Sequence, residues 1–256
     1  MELTSAFAHV VPEQVRRRYE FREVRNAAAV LAAADPAVWL ELVAVLDTFV
    51  LRPDHLLEPG GNKSAVAAEL DEHFRRRGWR EARVDTATTL SLHRMPHREA
   101  GEQWPEITES TVSNQGYKVD NFKGRVALDV EWNAKDGNLD RDIGAYRFLY
   151  ESGLIDVGVI VTRSTQDIVA LAATLSVRQG QDREAAERTA RRFATSTTTN
   201  IEKLQHRLAR GDAGGCPVLA VAITAATLSD EQRPPEDEAP ALISITELDS
   251  RTLPAG

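Results

Sequence analysis

The chain has 256 residues, 42% of them hydrophobic, enough to bury one good core with at most a small appended unit. A formal charge of −8 argues against a passive nucleic-acid coat, and the single cysteine, Cys216, excludes an internal disulfide framework and a Cys-rich zinc site. No apolar run reaches about 18 residues and the amino-terminal stretch lacks the order of a signal peptide, so no membrane span is expected and the expected compartment is the cytoplasm.

Residues 13 to 50 carry helical patterning, broken once at Asp35-Pro36, where Asp35 can cap a helix opened by Pro36. After the turn "RPDHLLEPGGN", the stretch "KSAVAAELDEHFRRRGW" predicts an amphipathic helix with Val66, Leu70 and Phe74 on one face, ending at Gly78. Residues 81 to 116 mix short β-like pieces with a Pro/His/Glu-rich loop. "YKVDNF", a "KG" turn and "RVALDVEW" read as a hairpin, followed by a helix in "DRDIGAYRFLYESG". "LIDVGVIVTR" and "CPVLAVAITAATL" have the continuous apolar character of buried strands, and residues 182 to 210 are helical around the polar string "TSTTTN". Residues 1–228 are expected to be one domain, with a core over about 60–225. Residues 229–256 form an acidic, Pro-containing tail in which "ALISITEL" is a candidate edge strand. The order of elements predicts an α/β core with a mixed sheet.

The hairpin holds the unusual residues. Alternation places Val126, Leu128, Val130 and Trp132 on one face and Arg125, Ala127, Asp129 and Glu131 on the other. Asp129 and Glu131 then point the same way, roughly 7 Å apart, and Asp120 lies across the hairpin. Converging acids repel one another unless a cation is present, and oxygen ligands with water suit a hard divalent metal. The plainer reading is an exposed strand whose charges prevent edge pairing. The spacing of Asp120 and Asp129-x-Glu131 resembles the PD-(D/E)xK nuclease signature, with Glu131 in the slot usually held by lysine.

The block "KVDNFKGRVALDVEWNAKDGNLDRDIGAYRFLYESGLIDVGVIVTR" resembles the central part of the BglII-type restriction endonucleases, PD-(D/E)xK enzymes related to BamHI and BstYI. Their acid-x-Glu/Gln-aromatic strand is matched by Asp129-Val130-Glu131-Trp132, and the acid on the preceding strand by Asp120. Their upstream helix start after a G-x-N turn is matched by Asn62 in "GGNKS". The resemblance runs over about residues 15 to 225 and is strongest from 117 to 163. It implies a restriction-endonuclease-like core, a central mixed β-sheet flanked by helices. It also implies Mg²⁺ held by Asp120, Asp129 and the Val130 main-chain carbonyl, with Glu131 acting on the attacking water and Asn62 positioning water or substrate. Asp129 departs from the family's glutamate by one methylene, which could shift the metal or favour Mn²⁺.

Two segments are candidates for contacting DNA. "FATSTTTNIEKLQHRL" sets Ser196, Thr197, Thr198, Thr199, Asn200 and Lys203 at a helix start, where phosphate binds favourably. An ordinary cap, Ser196 or Thr199 with Glu202, is the simpler explanation. Asn133, Lys135, Asn138 and Arg141 follow the acidic strand, and Asp140-Arg141 could equally be a local salt bridge. Lys63 and Lys135 are candidates for stabilising transition-state charge. The clustered arginines read as solvated helix faces or as a track for a phosphate backbone. His93 and His97 are separated by Pro96 and make no zinc pair, "EPGGNK" lacks the Walker spacing, and Cys216 reads as core filler.

The resulting expectation is a type II restriction endonuclease: Mg²⁺-dependent, a homodimer on a palindromic duplex, leaving 5′-phosphates, with a cognate DNA methyltransferase in its host. A modification-dependent or repair nuclease on the same fold and a non-catalytic DNA-binding module are the alternatives.

Overall fold

The computed structural model describes residues 1–58 and 64–229. Asn62, Lys63 and the candidate strand "ALISITEL" lie outside the described residues.

A mixed six-stranded sheet runs through the described residues in the order β1-β6-β5-β4-β3-β2. Its centre is β5 (Val157–Arg163), which runs parallel to β4 (Val126–Val130) and to β6 (Val218–Ile223). All residues of these three strands are buried, as their apolar runs require of strands covered on both faces. On one flank β1 (Tyr19–Val24) pairs antiparallel with β6. On the other, β3 (Glu106–Lys123) pairs antiparallel with β4 and with β2 (Arg80–Arg94).

Helices cover both faces. Ahead of and just after β1 come α1 (Phe7–Val10), α2 (Glu13–Arg16) and α3 (Ala27–Ala34). Next is α4 (Pro36–Thr48), which starts as the sequence indicates: Pro36 is its first residue and Asp35 accepts from the Val38 N–H at 3.1 Å. Helices α5 (Pro53–Leu57) and α6 (Ala65–Arg76) follow, with Val66, Leu70 and Phe74 buried. Together with α8 (Gln166–Arg178) and α9 (Arg183–Arg191) they pack on the face that holds Val126, Leu128, Val130 and Trp132. The opposite face is covered by α7 (Gly137–Glu151) and α10 (Ile201–Arg210), through Leu139, Ile143, Tyr146, Leu204 and Leu208.

Two expectations are corrected. Residues 19–24 lie inside the stretch expected to be helical but form β1, because "YEFREV" alternates Tyr19 and Phe21 inward and finds its partner in β6, some 200 residues away in sequence. Residues 81–116 are not short pieces but the greater part of a long two-stranded ribbon, in register as far as Arg94 and Glu106. Every residue from 85 to 115 is exposed or half-exposed, so the alternation of Val84, Leu90 and Leu92 along β2 meets no buried face that would mark the ribbon's length. Helix α8 lies between β5 and residue 182, where no element was expected.

The arginine clusters are largely solvated helix faces. Arg75 and Arg76 pair with Glu72, Arg183 with Glu187 and Arg188 with Glu184, each within one helical turn.

Candidate active site

The hairpin of β3 and β4 closes through Gly124 and Arg125, one residue later than the expected "KG" turn, with Asn121 opposite Leu128 and Lys123 opposite Val126. Gly124 has φ +56°, and a Cβ there would stand 2.7 Å from the Asp35 carboxylate, so glycine is required. The alternation of β4 holds: its apolar face joins one core and its acids point to the other.

The acid face is not an exposed edge. Helix α7 lies across it, leaving Asp129 and Glu131 2% and 3% exposed. Asp129 Oδ1 accepts from the Asp120 N–H at 2.9 Å. Its Oδ2 lies 2.7 Å from the Tyr146 hydroxyl, which is itself 2.8 Å from the Val159 carbonyl oxygen. Burial, reinforced by the charge of Asp142, pushes the Asp129 carboxyl up to about 8. Glu131 accepts from the Asn138 amide at 3.1 Å and stands 3.5 Å from Arg141. Burial raises its carboxyl as well.

A further acid, Asp142 on α7, was not singled out in the sequence. Its only visible signal was the "DRD" run after the hairpin. It is buried and ion-paired with Arg141 at 2.8 Å through one oxygen. The other oxygen is buried without a donor, its neighbour being the Glu131 carboxylate. Two acceptors can face each other there only by sharing a proton. Burial and the Glu131 charge push Asp142 up to about 8. Asp140 pairs with Arg207 at 2.8 Å, not with Arg141, so the alternative of a local Asp140–Arg141 salt bridge does not hold.

A cleft of about 570 Å³ opens on this cluster. Asp120, Val130, Glu131, Asn133, Asn138 and Arg141 line one side; Asp54, His55, Glu58 and Arg192 line the other. Asp129 stays behind the cleft wall, held by Tyr146. Gly158 on β5 makes room for that ring, since a Cβ would come within 2.1 Å of it.

The donor set is chemically that of a hard divalent cation: oxygen groups alone, with buried carboxylates whose charges repel one another and one buried carboxylate oxygen lacking any donor. Among the described residues no three His, Cys, Asp or Glu side chains are gathered into a ready cage. Asp120, Asp129 and the Val130 residue would therefore need water or substrate oxygens to complete an ion's shell.

The two candidate DNA segments lie together. Lys135 and Thr198 form a bridge, the Thr199 N–H donates to the Ala134 carbonyl and the Asp136 N–H to that of Thr197, each at 2.9 Å. Ser196 and Thr197 are exposed, and Thr198 is half-buried. Thr199 is turned fully inward, its hydroxyl donating to the Glu131 carbonyl at 2.8 Å. Asn200, not Ser196 or Thr199, caps α10 by accepting from the Lys203 N–H at 2.9 Å, and Glu202 is engaged by Thr165 instead. The Lys203 ammonium donates to the Ser196 and Thr198 carbonyls, bracing the loop.

A central mixed sheet with helices on both faces, whose antiparallel hairpin brings acids to a cleft, is a restriction-endonuclease-like core. The family model described as "Restriction endonuclease BglII/BglIII" matches residues 19–223. The chain belongs to that family and is a type II site-specific deoxyribonuclease. Enzymes of this family act on DNA and generally depend on a divalent metal. No curated protein matches the chain. No helix among the described residues is long and apolar enough to cross a membrane.

Proposed function

We propose that the protein is a Mg²⁺-dependent restriction endonuclease that works as a homodimer on a palindromic duplex site and leaves 5′-phosphate and 3′-hydroxyl ends. The observation that carries this reading is the placement of Asp120 and Glu131 on one cleft, with Asp129 tied to Asp120 from behind. Asp120, Asp129 and the Val130 carbonyl are the proposed metal-holding groups. When bound, a divalent metal ion would supply the positive charge that phosphodiester cleavage requires, and the short Asp129 side chain would let Mn²⁺ stand in for Mg²⁺.

Glu131, with its carboxyl raised by burial, takes the proton of the attacking water as that water displaces the 3′ oxygen in line, and the departing 3′ oxygen takes a proton from solvent to give the 3′-hydroxyl. Asn138 and Arg141 orient the Glu131 carboxylate. Asn62, just before α6, is assigned to positioning water or substrate. Lys63 and Lys135 are candidates for phosphate charge, and exposed Ser196 and Thr197, together with Asn133 and Thr198, are candidates for contacting the duplex. The Thr199, Asn200 and Lys203 side chains act indirectly, by shaping the loop. Residues 1–228 are taken as the nuclease domain and 229–256 as an appended tail. A cytoplasmic location and a cognate DNA methyltransferase in the host complete the reading.

Incubation with phage DNA and Mg²⁺ tests it. Discrete fragments with 5′-phosphate ends are expected. Cleavage confined to modified DNA or diffuse nicking would favour another nuclease on this fold, and retention without cleavage a binding module.

A further inference from the structure

Arg163, the last residue of β5, is fully buried. Its Nη1 donates to the Ser164 carbonyl, and its Nη2 donates to Asn133 Oδ1 and to Thr198 Oγ1, each at 3.2 Å. Its Nε is buried without a partner. The guanidinium carbon lies 5.6 Å from the centre of the Phe193 ring.

Among the described residues no carboxylate forms an ion pair with this cation. The two acids that act on it through space are engaged elsewhere: Asp167 accepts from Ser164 and from the Ala225 N–H, and Glu202 accepts from Thr165. Burial lowers its pKa to about 10, so the side chain remains charged at neutral pH. A buried charge without a counter-charge is costly, and a core needing only volume would be filled by an apolar side chain instead. The cost calls for an anion supplied from outside the free protein.

The contacts of Arg163 indicate which anion. Asn133 follows the acidic strand in a left-handed backbone conformation, φ +51°, and Thr198 belongs to the hydroxyl loop. Asn133 and Phe193 line the cleft, so Arg163 lies directly behind its wall. Arginine's Nη2 holds both segments at once while its Nη1 is anchored on the Ser164 carbonyl.

We propose that Arg163 is a positioning residue for DNA: it fastens the segment after the acidic strand to the hydroxyl loop, and its unmatched charge draws one backbone phosphate onto the surface the two segments share. This role rests on the endonuclease activity proposed above. It is not a catalytic role, since the side chain touches no reacting atom.

Binding of the full-length protein to a phage DNA fragment, measured in EDTA over a range of salt concentrations, tests the proposal together with steady-state cleavage in Mg²⁺. Arg163→Gln should weaken binding at least about tenfold and raise KM more than it lowers kcat. It should also flatten the log Kd against log salt plot by about one unit, the signature of one lost phosphate contact. A variant with wild-type KM and salt slope, whatever its thermal stability, overturns the proposal. So does a loss confined to kcat. Should the glutamine variant fail to fold, Arg163→Met, which removes the charge and the donors but keeps the length, decides: weaker binding with raised KM and a flatter salt slope sustains the role, and wild-type affinity and salt slope overturn it. Wild-type protein that neither binds nor cuts DNA would remove the endonuclease reading itself, a result distinct from failure of the Arg163 role alone.

Discussion

The Tyr146 hydroxyl stands 2.7 Å from Asp129 Oδ2 and 2.8 Å from the Val159 carbonyl oxygen, and it has one proton to serve both contacts. If Asp129 is ionised, one of these short oxygen–oxygen contacts contains no hydrogen. If Asp129 is protonated, its carboxyl donates to Tyr146 and Tyr146 donates to Val159, and both are satisfied. The geometry and the raised Asp129 carboxyl agree that the metal-free protein holds a proton here at neutral pH.

Stability should consequently depend on pH in a defined direction. Asp129 and Asp142 are both raised from 3.8 to about 8 on folding. Between about pH 4 and about pH 8 the folded form binds more protons than the unfolded chain, so stability falls as pH rises through that window and levels off above it. Thermal midpoints in EDTA at a series of pH values should decline accordingly; a midpoint rising from pH 5 to pH 8 would contradict the protonated assignment. Added Mg²⁺ should raise the midpoint more at pH 8 than at pH 6, where the ion must displace those protons.

The ring of Tyr146 occupies the space left by Gly158. Gly158→Ala should push that ring away and destabilise the fold by about 1–3 kcal/mol, as overpacking a core does. Tyr146→Phe keeps the packing but deprives the Val159 carbonyl and Asp129 of their hydroxyl partner, at a cost of about 1–3 kcal/mol. Denaturant titration of the two variants measures both effects, and a Gly158→Ala protein of wild-type stability would show that the ring does not sit where described.

The hydroxyl loop divides into structural and exposed members. Asn200→Ala removes the cap of α10 and should lower stability by about 1 kcal/mol. Ser196→Ala and Thr197→Ala should leave stability within about 0.5 kcal/mol of wild type while weakening DNA binding. Paired melting and binding measurements separate the two groups. A Ser196→Ala/Thr197→Ala double variant with unchanged affinity would remove these side chains from the interface.

The long ribbon adds little to the core. Thr86 and Asn114 are register partners, and joining them through a two-residue Asn-Gly turn would delete residues 87–113. With every residue in that segment exposed or half-exposed, the shortened protein should fold with a thermal midpoint within about 4 °C of wild type, the shift expected for roughly 1 kcal/mol or less in a chain of this size. Loss of cooperative unfolding on this deletion would show that the ribbon supports the sheet.

What could be read from the sequence was local and periodic. Period-two alternation in "RVALDVEW" fixes which side chains share a face, and Asp35-Pro36 marks a helix start by its own chemistry. β1 was hidden because its charges belong to a half-exposed edge strand whose partner is distant in sequence. The β-like character of residues 81–116 was legible, but the ribbon's length was not, because strands exposed on both sides bury no apolar face. At the site, the nearness of Asp120, Asp129 and Glu131 follows from their spacing, but the burial of Asp129 and Glu131 does not: it comes from α7 crossing the acid face, while Asp120 stays exposed on the cleft. Tyr146, Asp142 and Arg163 acquire their meaning only from contacts 11 to 35 residues away in the chain.

The central claim, that the acids of the hairpin cut DNA, is tested most directly by time courses of phage DNA cleavage in Mg²⁺ by the wild-type protein and by Glu131→Ala. Removal of the group that takes the proton from water should slow cleavage by about 10²-fold or more, with DNA binding retained. Equal rates of cleavage by the two proteins would contradict the assignment.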